Sequence, residues 1–147
     1  MDNFSSLVSV LIQDEMRGIP HHERILEMGQ TPEVLVTYAG FSKLDLVVKG
    51  KAISKMCFDH GISTPIIQRL PNLVINPKAI YLSASHPDST VVFTFESHLG
   101  SPIIIPIHKD RSVGRSRVCN EILSMYGKQG PDPEAKWKRD GLLLWEP

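Results

Sequence analysis

The sequence predicts an α+β domain, with helices packed against an antiparallel β-sheet. Three observations carry this reading. The first half of the chain places apolar residues at helical spacing between Ser/Thr-Pro starts and Gly or Pro stops. The second half holds short runs rich in β-branched and aromatic residues, parted by turn-forming stretches. The two patterns are segregated along the chain, which favours one layer of helices on one layer of strands.

Taken in order, Phe4, Leu7, Val8, Leu11 and Ile12 recur at i, i+3, i+4, i+7 and i+8. They form one face of an amphipathic helix that begins near Asp2 or Asn3 and ends near Gly18-Ile19-Pro20. Such a stripe must bury. Docking on the chain's own core is the first expectation, ahead of pairing with a second copy or a partner. Residues 1–29 are read as this helix plus a linker, separable from a domain spanning 30–147. "TPEVLVTYAG" offers Thr31 as N-cap and Pro32 as first helical residue, so a short second helix follows. "LDLVV" is a short strand. "KAISKMCFDHG" is a helix closed by Gly61, and "STPIIQRLPN" is another, stopped by Pro71.

"KAIYLS", "STVVFTFE" and "SPIIIPIH" read as neighbouring antiparallel strands, with Ile80, Leu82, Val91 and Phe93 turned to the core. "RVCNEILSMYG" fits two periods. Val118, Asn120, Ile122, Ser124 and Tyr126 alternate, while Val118, Ile122 and Met125 also suit a helix. The strand reading, ending at Gly127, sends Ser124, Tyr126 and Lys128 from one sheet face. "QGPDPEAKW" reads as a loop with one helical turn, and "GLLLW" as a last edge strand.

Composition narrows the function. A 147-residue chain with 41% hydrophobic and 22% charged residues suits one globular domain. No apolar run approaches a membrane span, and "MDNFSSLVSVLIQDEM" lacks a positive leader. Cys57 and Cys119 make neither a metal cluster nor a disulfide framework, so reduced thiols and a cytosolic chain are expected. A net charge of zero argues against non-specific coating of nucleic acid. The charges are unevenly spread. Residues 1–42 carry Asp2, Asp14, Glu15, Glu23, Glu27 and Glu33 against Arg17 and Arg24. Residues 109–117 carry Lys109, Arg111, Arg115 and Arg117 against Asp110, and Lys43, Lys49, Lys51 and Lys55 form a second basic cluster. This polarity fits either a polyanion-facing side or ordinary solvated surface.

Adjacent His21 and His22 cannot share one face, and no metal-ligand spacing occurs, so no metal and no cofactor are expected. Gly50-Lys51 and Gly127-Lys128 lack the rest of a phosphate loop, and no nucleophile elbow is present. What remains is a dispersed set: Lys55, His60, Ser83, Thr94, His108, Ser124, Tyr126 and Lys128. Metal-free RNA cleavage uses these residue types: a base for the ribose 2′-hydroxyl, donors for the phosphate, and an acid for the leaving 5′-oxygen. Each also has an ordinary structural role. His60 suits a helix C-terminus, Ser83 and Ser124 suit turns or strand edges, and Tyr126 suits a half-buried aromatic.

The order of phrases adds to this. "KAISKMCFDHGIS", "LPNLVINPKAIYLSAS", "STVVFTFESHLGSPIIIPIH", "VCNEILSMYGK" and "GLLLW" together resemble the phage MuF C-terminal domain over roughly residues 30–145. That family is grouped with the barnase–EndoU–colicin–RelE-like (BECR) ribonucleases of phage and polymorphic toxins. The resemblance implies helices on a twisted antiparallel sheet, with an active site in the sheet's cleft. It places Lys55 and His60 in the family's helical Lys/His segment, Ser83 on the serine that closes a strand, and Ser124, Tyr126 and Lys128 on its Ser-Tyr-Lys phrase. The head domain that precedes this module in phage proteins has no counterpart here, so a module standing alone or at a toxin tip is expected.

The expectation is therefore a metal-independent endoribonuclease toxin domain acting in the cytosol. His60 serves as base or acid, Lys55 and Lys128 stabilise the phosphate, and Ser83, Ser124 and Tyr126 orient it. Thr94 and His108 add phosphate contacts, and Lys109, Arg111, Arg115 and Arg117 steer the RNA. Tyr126 alternatively stacks on a base. A cognate immunity protein or antitoxin is a further expected partner. Two rivals are kept: a non-catalytic phage-associated or protein-binding module on the same fold, and an immunity or regulatory protein that binds a basic nuclease through residues 1–42.

Overall fold

The structure is a computed structural model and describes residues 3–147. Helix α1 (Asn3–Met16) is followed by strand β1 (Ile25–Gln30), helix α2 (Glu33–Ala39), strand β2 (Asp45–Lys49) and helix α3 (Gly50–Ser54). Helix α3 runs on into a π-helical turn, Lys55–Asp59. Two short helices follow, α4 (Thr64–Gln68) and α5 (Leu70–Ile75). Then come β3 (Ala79–Leu82), β4 (Ser89–His98), β5 (Ser101–Val113), β6 (Arg117–Ile122), β7 (Tyr126–Gly127), α6 (Pro133–Arg139) and β8 (Leu143–Trp145). The fold is α+β, as the sequence predicts. A start of α1 at Asp2 lies outside the described residues.

The eight strands form one open sheet in the order β1-β2-β6-β5-β4-β3-β8, with β7 pairing β5. All neighbours are antiparallel except β2 and β6, which run parallel. The sheet is thus mixed, where a purely antiparallel one was expected. No local pattern in "LDLVV" could show that its partner lies some seventy residues away.

The main core fills the space between the helices and one sheet face. The α1 stripe of Phe4, Val8, Leu11 and Ile12 is buried there beside Ile53, Met56, Ile67 and Leu70 and the strand residues Leu46, Val48, Ile105 and Ile122. The first helix therefore docks on its own domain. The other sheet face carries two smaller clusters. At one end Tyr81, Phe93 and Ile104 lie under Trp137 of α6. At the other, Val47, Val113 and Cys119 pack together.

Buried polar groups are paired where they hold the layers in register. Asn120 is fully buried in β6. Its amide nitrogen donates to the Thr31 hydroxyl at 2.7 Å and to the Ser42 carbonyl at 3.0 Å, and its oxygen accepts from the Asp110 amide at 3.0 Å. One side chain thus joins two strands, β5 and β6, to the loops on either side of α2, and each group left unpaired by its loss would cost about 1–3 kcal/mol.

Several local readings need correction. Residues 25–30, read as linker, form edge strand β1, paired antiparallel with β2 through a bulge between Glu27 and Gln30. Pro71 does not stop a helix; it sits in the first turn of α5, where its missing N–H costs nothing. Residues 133–139 make two helical turns, because the Asp132 side chain caps the Ala135 amide at 3.1 Å. Ile80, Val91 and Phe93 are buried, but Leu82 is exposed at the strand's end.

The largest correction concerns residues 118–127. β6 ends at Ile122, which pairs Ile107, and β7 begins at Tyr126, which pairs Ile104. Three steps along β5 thus match four along its partner. The one extra residue is a bulge, and it reverses the alternation. Ile122 faces the helices, whereas Tyr126 packs on the opposite face with Ile104. Ser124 falls within the break, so Ser124, Tyr126 and Lys128 do not share one uninterrupted strand face.

Candidate active site

Four segments meet where β5 begins and β7 ends. The π-helical turn delivers the first residue. Its wider spacing lets the His60 amide donate to the Lys55 carbonyl at 2.9 Å, and π turns of this kind recur at functional sites. Gly61 follows with φ of +69°, which turns the chain sharply at no steric cost. A side chain there would also meet the His98 ring, whose Nε2 would lie 3.3 Å from its Cβ. Glycine thus lets a second imidazole approach the end of the helical turn.

His98 closes β4 and pairs with Ser101 across the two-residue turn Leu99-Gly100. Both turn residues have positive φ, 51° and 81°, the turn type whose twist matches a hairpin. Leucine pays roughly 1–2 kcal/mol for that conformation, and its side chain is 92% exposed. The fourth segment is β7 with the residues after it. Its register is fixed by the pairing of Gly127 with Ile103 and by the Lys128 amide, which donates to the Pro102 carbonyl at 2.7 Å.

These segments enclose an open cavity of about 530 Å³, lined by Asp59, His60, His98, Ser101, Tyr126 and Lys128 among others. The His60 and Tyr126 rings are 5.4 Å apart between centroids. The Lys128 ammonium lies 5.9 Å from the centre of the Trp137 ring, which holds it beside the cavity. On the far side of Tyr126 and Lys128, a smaller cavity of about 190 Å³ reaches Ser83 and Trp137. Two imidazoles, a phenol, an ammonium and a hydroxyl at one opening can exchange protons with a ligand and bind an anion.

Of the residues singled out from sequence, His60, Tyr126 and Lys128 come together here, and Ser83 borders them. Ser83 also accepts a 3.3 Å hydrogen bond from the His86 amide. The Ser124 hydroxyl is buried and has no hydrogen-bond partner among the described residues. Thr94 is buried, donating to the Ile103 carbonyl at 2.8 Å and accepting from the Glu96 amide at 3.1 Å. Arg117 is committed elsewhere, to Glu27 through two 2.7 Å bonds and to Asp45 at 3.1 Å. That pairing lowers the Glu27 carboxyl below its ordinary value and leaves Arg117 little free charge for steering RNA. Arg115 is exposed in the turn between β5 and β6.

Lys55, His108 and Arg111 belong to a different place. Register puts Ser89, His108, Glu121 and Val47 side by side across four strands, on the face away from the main helices. His108 Nδ1 bonds the carbonyl of Lys109, its neighbour in β5, at 2.8 Å. Lys55 lines a cavity of about 190 Å³ with Lys49, Lys51 and Glu121, and Arg111 lies 3.6 Å from the Glu121 carboxylate.

Sequence reasoning missed His98 and Ser101 in the first cavity and Glu121 in the second. His98 and Ser101 carried a usable signal, since both flank the hairpin turn in "SHLGS". Glu121 carried none, because its burial depends on strands β2 and β5. Among the described residues no three His, Cys, Asp or Glu side chains gather as a metal would need. No helix among them is long and apolar enough to cross a membrane.

Comparison with known proteins places this geometry in a family. No curated protein and no solved structure matches the chain. The family model of the phage MuF C-terminal domain matches residues 51–146, from the start of α3 through β8 and including every residue of the cavity. The chain belongs to the phage MuF C-terminal domain family.

Proposed function

We propose that the domain is a metal-independent endoribonuclease of the toxin type, kin to the BECR ribonucleases. One observation carries this: His60, His98, Tyr126 and Lys128 converge on a single open cavity. One imidazole takes the proton from a ribose 2′-hydroxyl as its oxygen bonds to phosphorus. The other, protonated, gives a proton to the 5′-oxygen as the P–O5′ bond breaks. The products are a 2′,3′-cyclic phosphate and a 5′-hydroxyl. Lys128 offsets the charge that builds on the phosphorane oxygens, and the Tyr126 hydroxyl donates to one of them. The exposed Leu99 at the hairpin tip borders the same opening and offers an apolar contact to a base. Such an activity is harmful in a cytosol, so a cognate immunity protein is the partner it calls for.

Incubating the chain with total RNA and a chelator tests this. Chelator-resistant cleavage with cyclic-phosphate ends, lost in His60→Ala, is expected. Intact RNA at high protein concentration would overturn the proposal and favour a non-catalytic module.

A further inference from the structure

The cavity around Glu121 is chemically unlike the first. Glu121 sits in mid-sheet with its side chain 6% exposed. Its Oε1 has no hydrogen-bond partner among the described residues, since Arg111 Nε approaches only to 3.6 Å. Its Oε2 lies 3.8 Å from Lys49 Nζ. A buried carboxylate oxygen left in this state costs free energy that a hydrogen-bond donor would return. Lys51 and Lys55, four residues apart on one helical face, complete the rim. Neither forms an ion pair among the described residues, although others nearby do. Four cations thus surround one carboxylate. The excess positive charge calls for an anion, and the carboxylate oxygen that accepts no hydrogen bond calls for a neutral donor beside it. A ligand that fits must carry both groups within one small unit. A ribose carrying a phosphate does, through its 2′-hydroxyl and the adjacent 3′-phosphate.

We propose that Glu121, Lys49, Lys51 and Lys55 form a ribose-phosphate subsite, in which the lysines hold the phosphate and the Glu121 carboxylate accepts a hydrogen bond from the 2′-hydroxyl. This rests on the ribonuclease reading for the ligand being a piece of RNA. The subsite makes that choice physical, since DNA lacks the hydroxyl. The two cavities share no lining residue, but they flank one π-helical turn. Lys55 opens the π-helical turn and lines one cavity, and His60 follows that turn and lines the other. A strand bound at both would run along this turn and past the bulge between Leu123 and Tyr126.

The test titrates the isotope-labelled full chain with adenosine 3′-monophosphate and, separately, with its 2′-deoxy form, neither of which can be cleaved. Amide shifts at Lys49, Lys51, Lys55, Glu121 and Leu123 are expected. The ribonucleotide should bind about tenfold more tightly, the worth of one hydrogen bond to a charged acceptor. Glu121→Ala should erase the preference. Lys55→Ala, at an exposed site, should weaken both ligands alike and serves if Glu121→Ala does not fold. Equal affinity of the two nucleotides for the wild type would overturn the subsite, as would shifts confined to His60, His98, Tyr126 and Lys128. Ribose-selective binding at Glu121 by a chain that leaves RNA intact would support the subsite and remove the ribonuclease reading alone.

Discussion

His60 and Tyr126 meet ring to ring, 5.4 Å between centroids and tilted by 39°. One ends a π-helical turn on the main helix layer; the other begins a two-residue strand and points to the opposite sheet face. They meet because both lie at the sheet's end, where β7 stops and the layers are no longer separated. Proton-transfer and anion-binding groups are thereby brought together from both layers.

The two histidines should matter equally. His60→Ala and His98→Ala are each expected to slow RNA cleavage by about 10²–10⁴, the worth of one proton-transfer group. Both rings are only half-buried, so each change should cost no more than about 0.5 kcal/mol of stability. Cleavage assays and thermal melts on the same proteins check this. Full activity in His98→Ala would show that one imidazole suffices and that the two-histidine scheme is wrong.

Lys128→Ala should lower cleavage by roughly 10²–10³, as removal of one positioned donor does. Because Lys128 also lies over Trp137, Lys128→Arg keeps that contact and is expected to recover part of the rate. A lysine that only packs on the indole would give mutants of changed melting temperature and unchanged rate.

The first helix is expected to be part of the folding unit. Leu11 is buried at 4% exposure among residues of α3, α4 and the sheet. Leu11→Ala should cost about 2–5 kcal/mol, the range for a core leucine. Denaturant unfolding measures it. A loss well under 1 kcal/mol, or a chain lacking residues 1–18 that melts at the wild-type temperature, would show that the helix is separable.

Arg117 should act on stability and not on cleavage. Hydrogen bonds from its guanidinium hold the Glu27 carboxyl below the ordinary 4.5. A carboxyl depressed in the folded state stabilises above its ordinary value, and that contribution is lost as pH falls through the lower folded value. Arg117→Ala should therefore melt lower than wild type at neutral pH, with the gap closing in acid and at high salt. A gap that persists in both conditions would mean that packing, not charge, holds β6 to β1.

The sequence by itself determined most element types and their order, but not edge strand β1, the π-helical turn or the break between β6 and β7. Helical spacing in Phe4-Leu7-Val8-Leu11-Ile12, proline at helix starts, and β-branched runs such as "SPIIIPIH" are local signals that act within one turn or one strand. It also supplied His60, Tyr126 and Lys128 as candidates, because residue type limits what chemistry a side chain can do. Only the tertiary structure decided which of them meet. The bulge after Ile122 shifts register by one residue and turns Tyr126 to the other face, and no alternation count can detect an extra residue without the partner strand. Glu121 becomes a buried, underpaired carboxylate only because β2 runs parallel beside β6 and brings Lys49 to it. Arg117, one of a run of basic residues in sequence, is consumed by Glu27 and Asp45 from distant strands. Which charge is free and which is spent depends on contacts between residues far apart in the chain, and the fold alone sets those.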